Sequence, residues 1–166
     1  MNTKKLALVV LIFFTGFLFQ GNAEAVFSVD LNFFSIDFGN MDSGYSGSYK
    51  DDIPSIGLTA TCTTDQGSAW SLLIRNDNPL RHNNYSSFEI DNANFRWYGT
   101  NVTGVLSSTA RLTQTREDFI IERTVYSGIA GEGVSGTDIT MKFELTMPPL
   151  FPSGIYETNI VFTFTE

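Results

Sequence analysis

The sequence predicts an all-β fold, a single antiparallel β-sandwich of immunoglobulin-like or jelly-roll type, and three observations support this. Residues that favour strands are abundant, with 15 Phe and 6 Tyr, and apolar and polar residues alternate along several segments. Clusters of Gly, Asn, Asp and Ser separate these segments at about the 8–12-residue spacing that is typical of a sandwich. No window after Ala25 keeps the apolar period of a helix over several turns.

The first 25 residues are predicted to be a secretory signal peptide. Two lysines at positions 4–5 precede an apolar run over residues 6–19, and the pattern Ala-Glu-Ala at residues 23–25 fits a cleavage site. The run is shorter than the roughly 20 residues that span a bilayer, which favours a cleaved signal over an uncleaved anchor. We therefore expect one β-sandwich domain at residues 26–166. We also expect it in the periplasm, at the cell surface or outside the cell, with no membrane insertion after cleavage.

The domain is predicted to begin with a strand directly after the cleavage site. The segment "VFSVDLNFF" alternates apolar and polar residues from its start, which is typical of a strand with one buried face. Its apolar positions are Phe27, Val29, Leu31 and Phe33. A short segment with a bend at Gly39 follows.

Two strands are predicted next, over "IGLTATCTT" and "AWSLLIRN". Cys62, the only cysteine, has the same parity as Leu58 and Ala60. A single cysteine cannot form an internal disulfide. The pattern favours a small buried residue at this position, and an intermolecular disulfide or a reactive thiol remains as the alternative.

The middle of the chain contains a polar loop, residues 76–87, and the aromatic segment "FRWYG". The only histidine, His82, lies in this loop, and we expect it to be exposed to solvent. Trp97 is expected to point inward with Phe95, and Tyr98 outward. Aromatic residues at this spacing belong to a core or, alternatively, stack on a sugar, so Trp97 and Tyr98 are candidate ligand contacts.

Two strands are predicted near the C-terminus. In "DITMKFELTM" five alternate apolar residues from Ile139 to Met147 are expected to face inward, and Glu144 outward. In "GIYETNIVFTFTE" the alternation runs from Tyr156 to Phe164, almost to the last residue.

The sequence offers no positive sign of catalysis. It has one histidine and one cysteine and no nucleophile, metal-protease or phosphate-binding motif, so we expect a protein that is not an enzyme and has no cofactor or metal. A hydrolase that uses carboxylates distant in sequence remains an alternative. The net charge of −8 argues against nucleic acid as a partner.

A strand at each end of the domain suggests assembly through sheet edges. Unpaired strand edges invite another chain, and in strand addition an extended segment of one molecule completes the sheet of another. The candidate donor side chains are Phe27, Val29, Leu31 and Phe33, and those of the acceptor edge are Ile160, Phe162 and Phe164.

The chain also resembles the family of spore coat protein U and archaic chaperone–usher pilins. The matching positions are Asp37, Phe38, Gly39, Cys62, Pro152, Gly154 and Tyr156. The resemblance implies an incomplete immunoglobulin-like sandwich that folds with a periplasmic chaperone, passes an usher and polymerises with copies of itself by donor-strand exchange. Many members carry a cysteine pair, from which this chain departs because Cys62 stands alone.

The alternative function is a self-complete extracellular module that binds carbohydrate or acts as an adhesin. Its ligand would be a glycan, held by Trp97, Tyr98 and the polar loop at residues 76–87.

Overall fold

The computed structural model describes residues 27–39, 41, 48–51, 57–65, 67–106 and 111–166, so the predicted signal peptide lies outside the described residues. The chain is an all-β antiparallel sandwich, as predicted. The strands are β1 (Phe27–Leu31), β2 (Ser48–Asp51), β3 (Leu58–Thr64), β4 (Trp70–Asn76), β5 (Leu80–His82), β6 (Glu89–Ile90), β7 (Phe95–Thr103), β8 (Glu117–Asp118), β9 (Arg123–Gly128), β10 (Thr137–Met147), β11 (Tyr156–Glu157) and β12 (Ile160–Thr165). One 3₁₀ turn, Asn92–Asn94, begins after the capping carboxylate of Asp91.

The first sheet has the strand order β1-β3-β10-β7-β8. Its long central strand β10 pairs with β3 over Thr137–Met141 and with β2 over Glu144–Met147. On its other side β10 pairs with β7, and the register shifts between Thr140 and Met141. The extra residue of this bulge, Thr100, lies on β7, and a bulge bends and twists the strand that carries it.

The second sheet consists of two three-stranded parts, β12-β4-β9 and β11-β5-β6. The two parts adjoin because β5 follows β4 in the chain and β12 follows β11. Strand β4 pairs with β12, and β5 pairs with β11. The Asp77 N–H donates to the Asn159 carbonyl at 3.0 Å across the break. The buried Thr158 hydroxyl lies 2.7 Å from Asn76 Oδ1 and 2.5 Å from the Asn78 carbonyl oxygen, so polar side chains stabilise the point where the ladder is interrupted.

Six of the strands follow the order of an immunoglobulin-type sandwich. Strands β1, β3, β10 and β7 occupy the positions A, B, E and D of one sheet, and β4 and β12 the positions C and F of the other. Among the described residues no strand pairs with β12 on the side where strand G of such a fold would lie.

The two sides of the sandwich differ. On one side the segment 111–113 connects the sheets, because the Gly99 N–H donates to the Thr113 carbonyl at 2.8 Å and the Thr113 N–H donates to the Val125 carbonyl at 2.9 Å. On the other side the edge strands β1 and β12 face each other. Within the described residues, backbone hydrogen bonds therefore connect the two sheets along one side only.

The core lies between the sheets and is rich in aromatic rings. Phe95 stacks on Phe119 with ring centroids 4.5 Å apart and meets Phe38 edge-on at 5.9 Å. Cys62 is fully buried, as predicted from its parity. The predicted bend at Gly39 is confirmed by its positive φ of 64°, and the Asp37 carboxylate accepts the Gly39 N–H at 2.6 Å.

The predicted inward faces are confirmed for the long strand β10 and the C-terminal strands. All five alternate apolar residues from Ile139 to Met147 are buried, as are Tyr156, Ile160 and Phe162. The prediction that Glu144 is exposed is wrong, since only 2% of it is accessible. Arg116 covers it and donates to its carboxylate at 2.6 Å.

Candidate assembly site at the facing sheet edges

Strand β1 forms one of the facing edges. In the part of the chain that the structure describes it pairs only with β3, with Val29 opposite Cys62 and Leu31 opposite Ala60. Val29 and Leu31 are buried, whereas Phe27 is partly buried. Phe33, the fourth apolar residue of the segment, lies beyond the end of β1 and is also partly buried against the core. The strand is thus held by one ladder and a short apolar face.

Strand β12 forms the other edge, and it pairs only with β4 among the described residues. Its sequence, Ile-Val-Phe-Thr-Phe-Thr, contains no charge, proline or glycine. Ile160 and Phe162 are buried, and Phe164 is partly buried. Natural edge strands usually carry charges or proline that discourage pairing with another chain, and β12 carries neither.

The backbone of β12 presents hydrogen-bonding groups along this edge. Because the Asp77 N–H donates to the Asn159 carbonyl, the alternation of an antiparallel ladder directs the N–H and C=O groups of Ile160, Phe162 and Phe164 away from β4. The side chains of these three residues point to the core. The residues that carry the apolar face therefore also carry the outward-directed backbone groups.

Aromatic contacts join the two edges. The Phe27 ring meets the Phe164 ring edge-on with centroids 5.3 Å apart, and Phe164 meets Trp70 at 4.9 Å. No ladder connects β1 and β12 in the described part of the chain. The edges are consequently closed by side chains and not by backbone hydrogen bonds.

Trp70 is fixed at the centre of this aromatic group. Its indole N–H donates to the Glu132 carbonyl at 3.0 Å, and its ring lies against the backbone of Gly128. A Cβ atom at Gly128 would come within 2.2 Å of Trp70 Cε2. Only glycine leaves room for this ring, so Gly128 positions the surface on which Phe164 rests.

Glu132 anchors the loops above Trp70, and its carboxylate is fully buried. It accepts hydrogen bonds from Arg111 at 2.5 Å, from the Tyr126 hydroxyl at 2.9 Å, and from the backbone N–H groups of Leu106 and Ile129 at 3.0 and 3.1 Å. Burial disfavours the charge, but the bonds from Arg111, Ile129, Leu106 and Tyr126 outweigh it and lower the pKa of Glu132. Burial and the bond to Glu132 raise the pKa of Tyr126 to about 12.

The structure brings the predicted donor and acceptor residues together through Phe27 and Phe164. It separates the two predicted ligand aromatics, because Trp97 is fully buried and Tyr98 lies on the opposite face of β7, where the Arg116 guanidinium lies 5.0 Å from its ring centroid. Trp97 and Tyr98 therefore do not form a common surface.

The prediction that His82 is exposed is wrong, since only 3% of it is accessible. Its ring packs against Tyr85 and Tyr156 with centroids 4.9 and 5.0 Å away, and its Nδ1 accepts the N–H groups of Asn84 and Tyr85. Nor does the local sequence predict the role of Glu132. Both residues stand among polar and glycine residues, and their buried partners are not recognisable from local sequence.

The described residues contain no group of three or more His, Cys, Asp or Glu that could hold a metal ion. Burial raises the pKa of the Cys62 thiol to about 12, so little of the reactive thiolate forms at neutral pH. A polar depression of about 250 Å³ lies at the break in the second sheet, and Glu157 is the one carboxylate among its lining residues. No helix in the described part of the chain is both long and apolar enough to span a bilayer.

Comparisons with models of protein families, with curated protein sequences and with solved structures find no match to this chain.

Proposed function

We propose that this protein is a non-enzymatic structural subunit, secreted to the periplasm, cell surface or exterior, that assembles with copies of itself by exchange of strand β1. One observation carries the proposal: β1 is an edge strand whose Phe27 reaches across to Phe164 on the free edge of the other sheet. In the assembly, β1 leaves its own sheet and takes the same place in a neighbouring copy.

The groove that receives β1 is lined by residues of β3 and β12. Its floor consists of the edge of β3 at Ala60 and Cys62, and its far wall is β12 with Phe162 and Phe164. Burial of an aliphatic side chain such as Val29 or Leu31 stabilises by about 1.5–3 kcal/mol. Exchange re-forms the same contacts between molecules, so it costs little beyond the entropy of association.

The uncharged edge of β12 supports the same proposal. A six-residue edge strand of Ile, Val, Phe and Thr is a hazard for a protein that must remain monomeric, because its backbone groups can template another strand. In the proposed assembly β12 is the far wall of the groove, and its lack of charge lets Phe162 and Phe164 pack against the apolar incoming strand. The resemblance to chaperone–usher pilins adds a periplasmic chaperone and an usher as partners that would protect the edge before assembly.

A peptide competition experiment tests the proposal. A synthetic peptide of residues 26–34 is added in excess to the protein as it assembles, and polymer length is measured by light scattering and electron microscopy. We expect shorter polymers, because the peptide occupies the groove and blocks exchange. We also expect the untreated polymers to dissociate in hot SDS.

The matched control is the same peptide with Asp in place of Val29 and Leu31. This control peptide cannot bury its charged Asp side chains beside Cys62 and Ala60. The proposal fails if the protein forms no polymers, or if both peptides act equally.

A further inference from the structure

The loop at residues 83–88 is an exposed surface at one end of the sandwich, and hydrogen bonds hold its backbone. All six residues, Asn83, Asn84, Tyr85, Ser86, Ser87 and Phe88, are exposed, with 57% of Tyr85 and 39% of Phe88 accessible. Buried His82 holds the loop from below, because its Nδ1 accepts the backbone N–H groups of Asn84 and Tyr85 at 3.0 and 3.2 Å.

Backbone hydrogen bonds also hold this loop in place. The His82 N–H donates to the Phe88 carbonyl at 3.0 Å, and the Phe88 N–H donates to the Tyr85 carbonyl at 2.9 Å. The Asn83 N–H donates to the Ile155 carbonyl at 2.9 Å. One side of the Tyr85 ring rests on His82, so the ring is presented in a fixed position, which lowers the entropy cost of binding.

A second, independent feature lies beside this loop. Leu150 is the one residue other than glycine with a positive φ among the described residues, at 64°, and 71% of it is accessible. A bulky residue in this region is strained, and such strain is concentrated at functional sites. The neighbouring Phe151 contacts Phe88 with ring centroids 6.0 Å apart, so Leu150 extends the same surface.

The composition of this surface indicates the class of its ligand. Residues 83–88 and 148–154 contain no charged side chain, although the chain has a net charge of −8. On the strands that flank residues 83–88, Arg81 and Glu89 form an ion pair at 2.7 Å. An aromatic face with neutral amide and hydroxyl groups around it suits an uncharged ligand that has both an apolar face and hydroxyl groups.

We propose that this surface binds a neutral saccharide. Tyr85 stacks on the apolar face of a pyranose ring, Asn83 and Asn84 exchange hydrogen bonds with its hydroxyl groups, and Phe88 with Leu150 contacts the next sugar. This site is separate from the β1 groove, and it replaces Trp97 and Tyr98 as the aromatic residues that would contact a glycan. A structural subunit with such a site would attach its assembly to a polysaccharide surface.

Binding to immobilised neutral gluco-, manno-, galacto- and xylo-hexasaccharides tests the proposal, with sulfated and sialylated glycans as charged comparators. We expect the full-chain protein to bind at least one neutral hexasaccharide, and Tyr85→Ala to weaken that binding roughly tenfold or more. The matched control is Tyr98→Ala on β7, which should leave the affinity within about twofold.

Leu150→Gly separates binding from folding. Glycine adopts a φ of 64° without strain, so this variant should be at least as stable as the parent protein and still bind the sugar more weakly. The proposal is overturned if no neutral hexasaccharide binds at millimolar concentration, if only charged glycans bind, or if Tyr85→Ala and Tyr98→Ala have equal effects. It is also overturned if both loop variants reduce only self-association, which would identify a protein contact.

Discussion

At the scale of single residues, Glu132 shows how a buried charge can organise a β-sandwich. Its carboxylate collects hydrogen bonds from Arg111, the Tyr126 hydroxyl and two backbone N–H groups, while its own carbonyl accepts the Trp70 indole N–H. The Trp70 ring in turn packs against the Phe164 ring. The position of the β12 edge therefore depends on a residue that does not contact it.

The variant Glu132→Gln tests this role. We expect a loss of roughly 3–5 kcal/mol in the free energy of unfolding, because Arg111 keeps its charge but loses the carboxylate that neutralises it. Urea denaturation measures the loss. Glu122→Gln, at an exposed carboxylate, is the control and should change stability by less than about 0.5 kcal/mol.

The variant Glu132→Gln should also change how the stability of the protein depends on pH. The pKa of Glu132 in the folded protein lies below its ordinary value of 4.5. The stability that its charge contributes is therefore present above about pH 4.5 and is lost as the pH falls through the lower folded pKa. Glu132→Gln should show a smaller loss of stability than the parent protein over this acid range, and parallel curves would contradict the role of the charge.

At the scale of elements, the contact between β5 and the loop at residues 148–155 is tight. A Cβ atom at Gly154 would come within 2.0 Å of His82 Nε2, and the Tyr156 hydroxyl donates to the Pro152 carbonyl at 2.9 Å. Glycine is required here for close approach, and the His82 ring is the group that it approaches.

The variant Gly154→Ala should destabilise the protein by about 1–3 kcal/mol, because the added methyl group overlaps the His82 ring. In a His82→Ala background the same change should cost less than half as much, since the ring is absent. A double-mutant cycle measured by thermal or urea unfolding gives the coupling energy. Equal costs in the two backgrounds would show that Gly154 is needed for another reason.

Elements were predictable from sequence where alternation was regular and the partners were apolar. The inward face of β10 followed from five apolar residues at alternate positions, and Cys62 was placed in the core by parity alone. Glu144 and His82 were misjudged because a polar residue becomes buried only when a specific partner covers it. Arg116 and Tyr156, which do so here, are 28 and 74 positions away in sequence.

At the scale of the whole molecule, the sequence predicted the sandwich but not the order of its strands. Pairing of β1 with β3, or of β12 with β4, joins segments far apart in the chain, and alternation reveals which residues are buried without revealing which strand lies beside which. The candidate edge residues were recognised from alternation. Their meeting through Phe27 and Phe164 depends on that order, as does the Trp70 ring beneath them.

One substitution on β1 tests the proposed exchange of this strand. Val29 lies opposite Cys62. The bond from the Asn32 N–H to the Thr59 carbonyl identifies Val29 and Cys62 as a pair without mutual hydrogen bonds, in which Cα atoms are about 4.5 Å apart. This separation suits a disulfide, so Val29→Cys should allow a bond to the native Cys62.

A comparison of oxidation before assembly with oxidation after assembly then shows which molecule supplies the strand. Oxidation of the variant during refolding, before assembly, should lock β1 in its own sheet and leave monomers. The reduced variant should polymerise like the parent protein and serves as the control. Oxidation after assembly should join residue 29 of one copy to Cys62 of the next, giving a ladder of covalent multimers on a non-reducing gel. If the locked protein polymerises as well as the reduced one, or if assembled protein yields only cross-linked monomers, β1 stays in its own sheet and the copies associate by other surfaces.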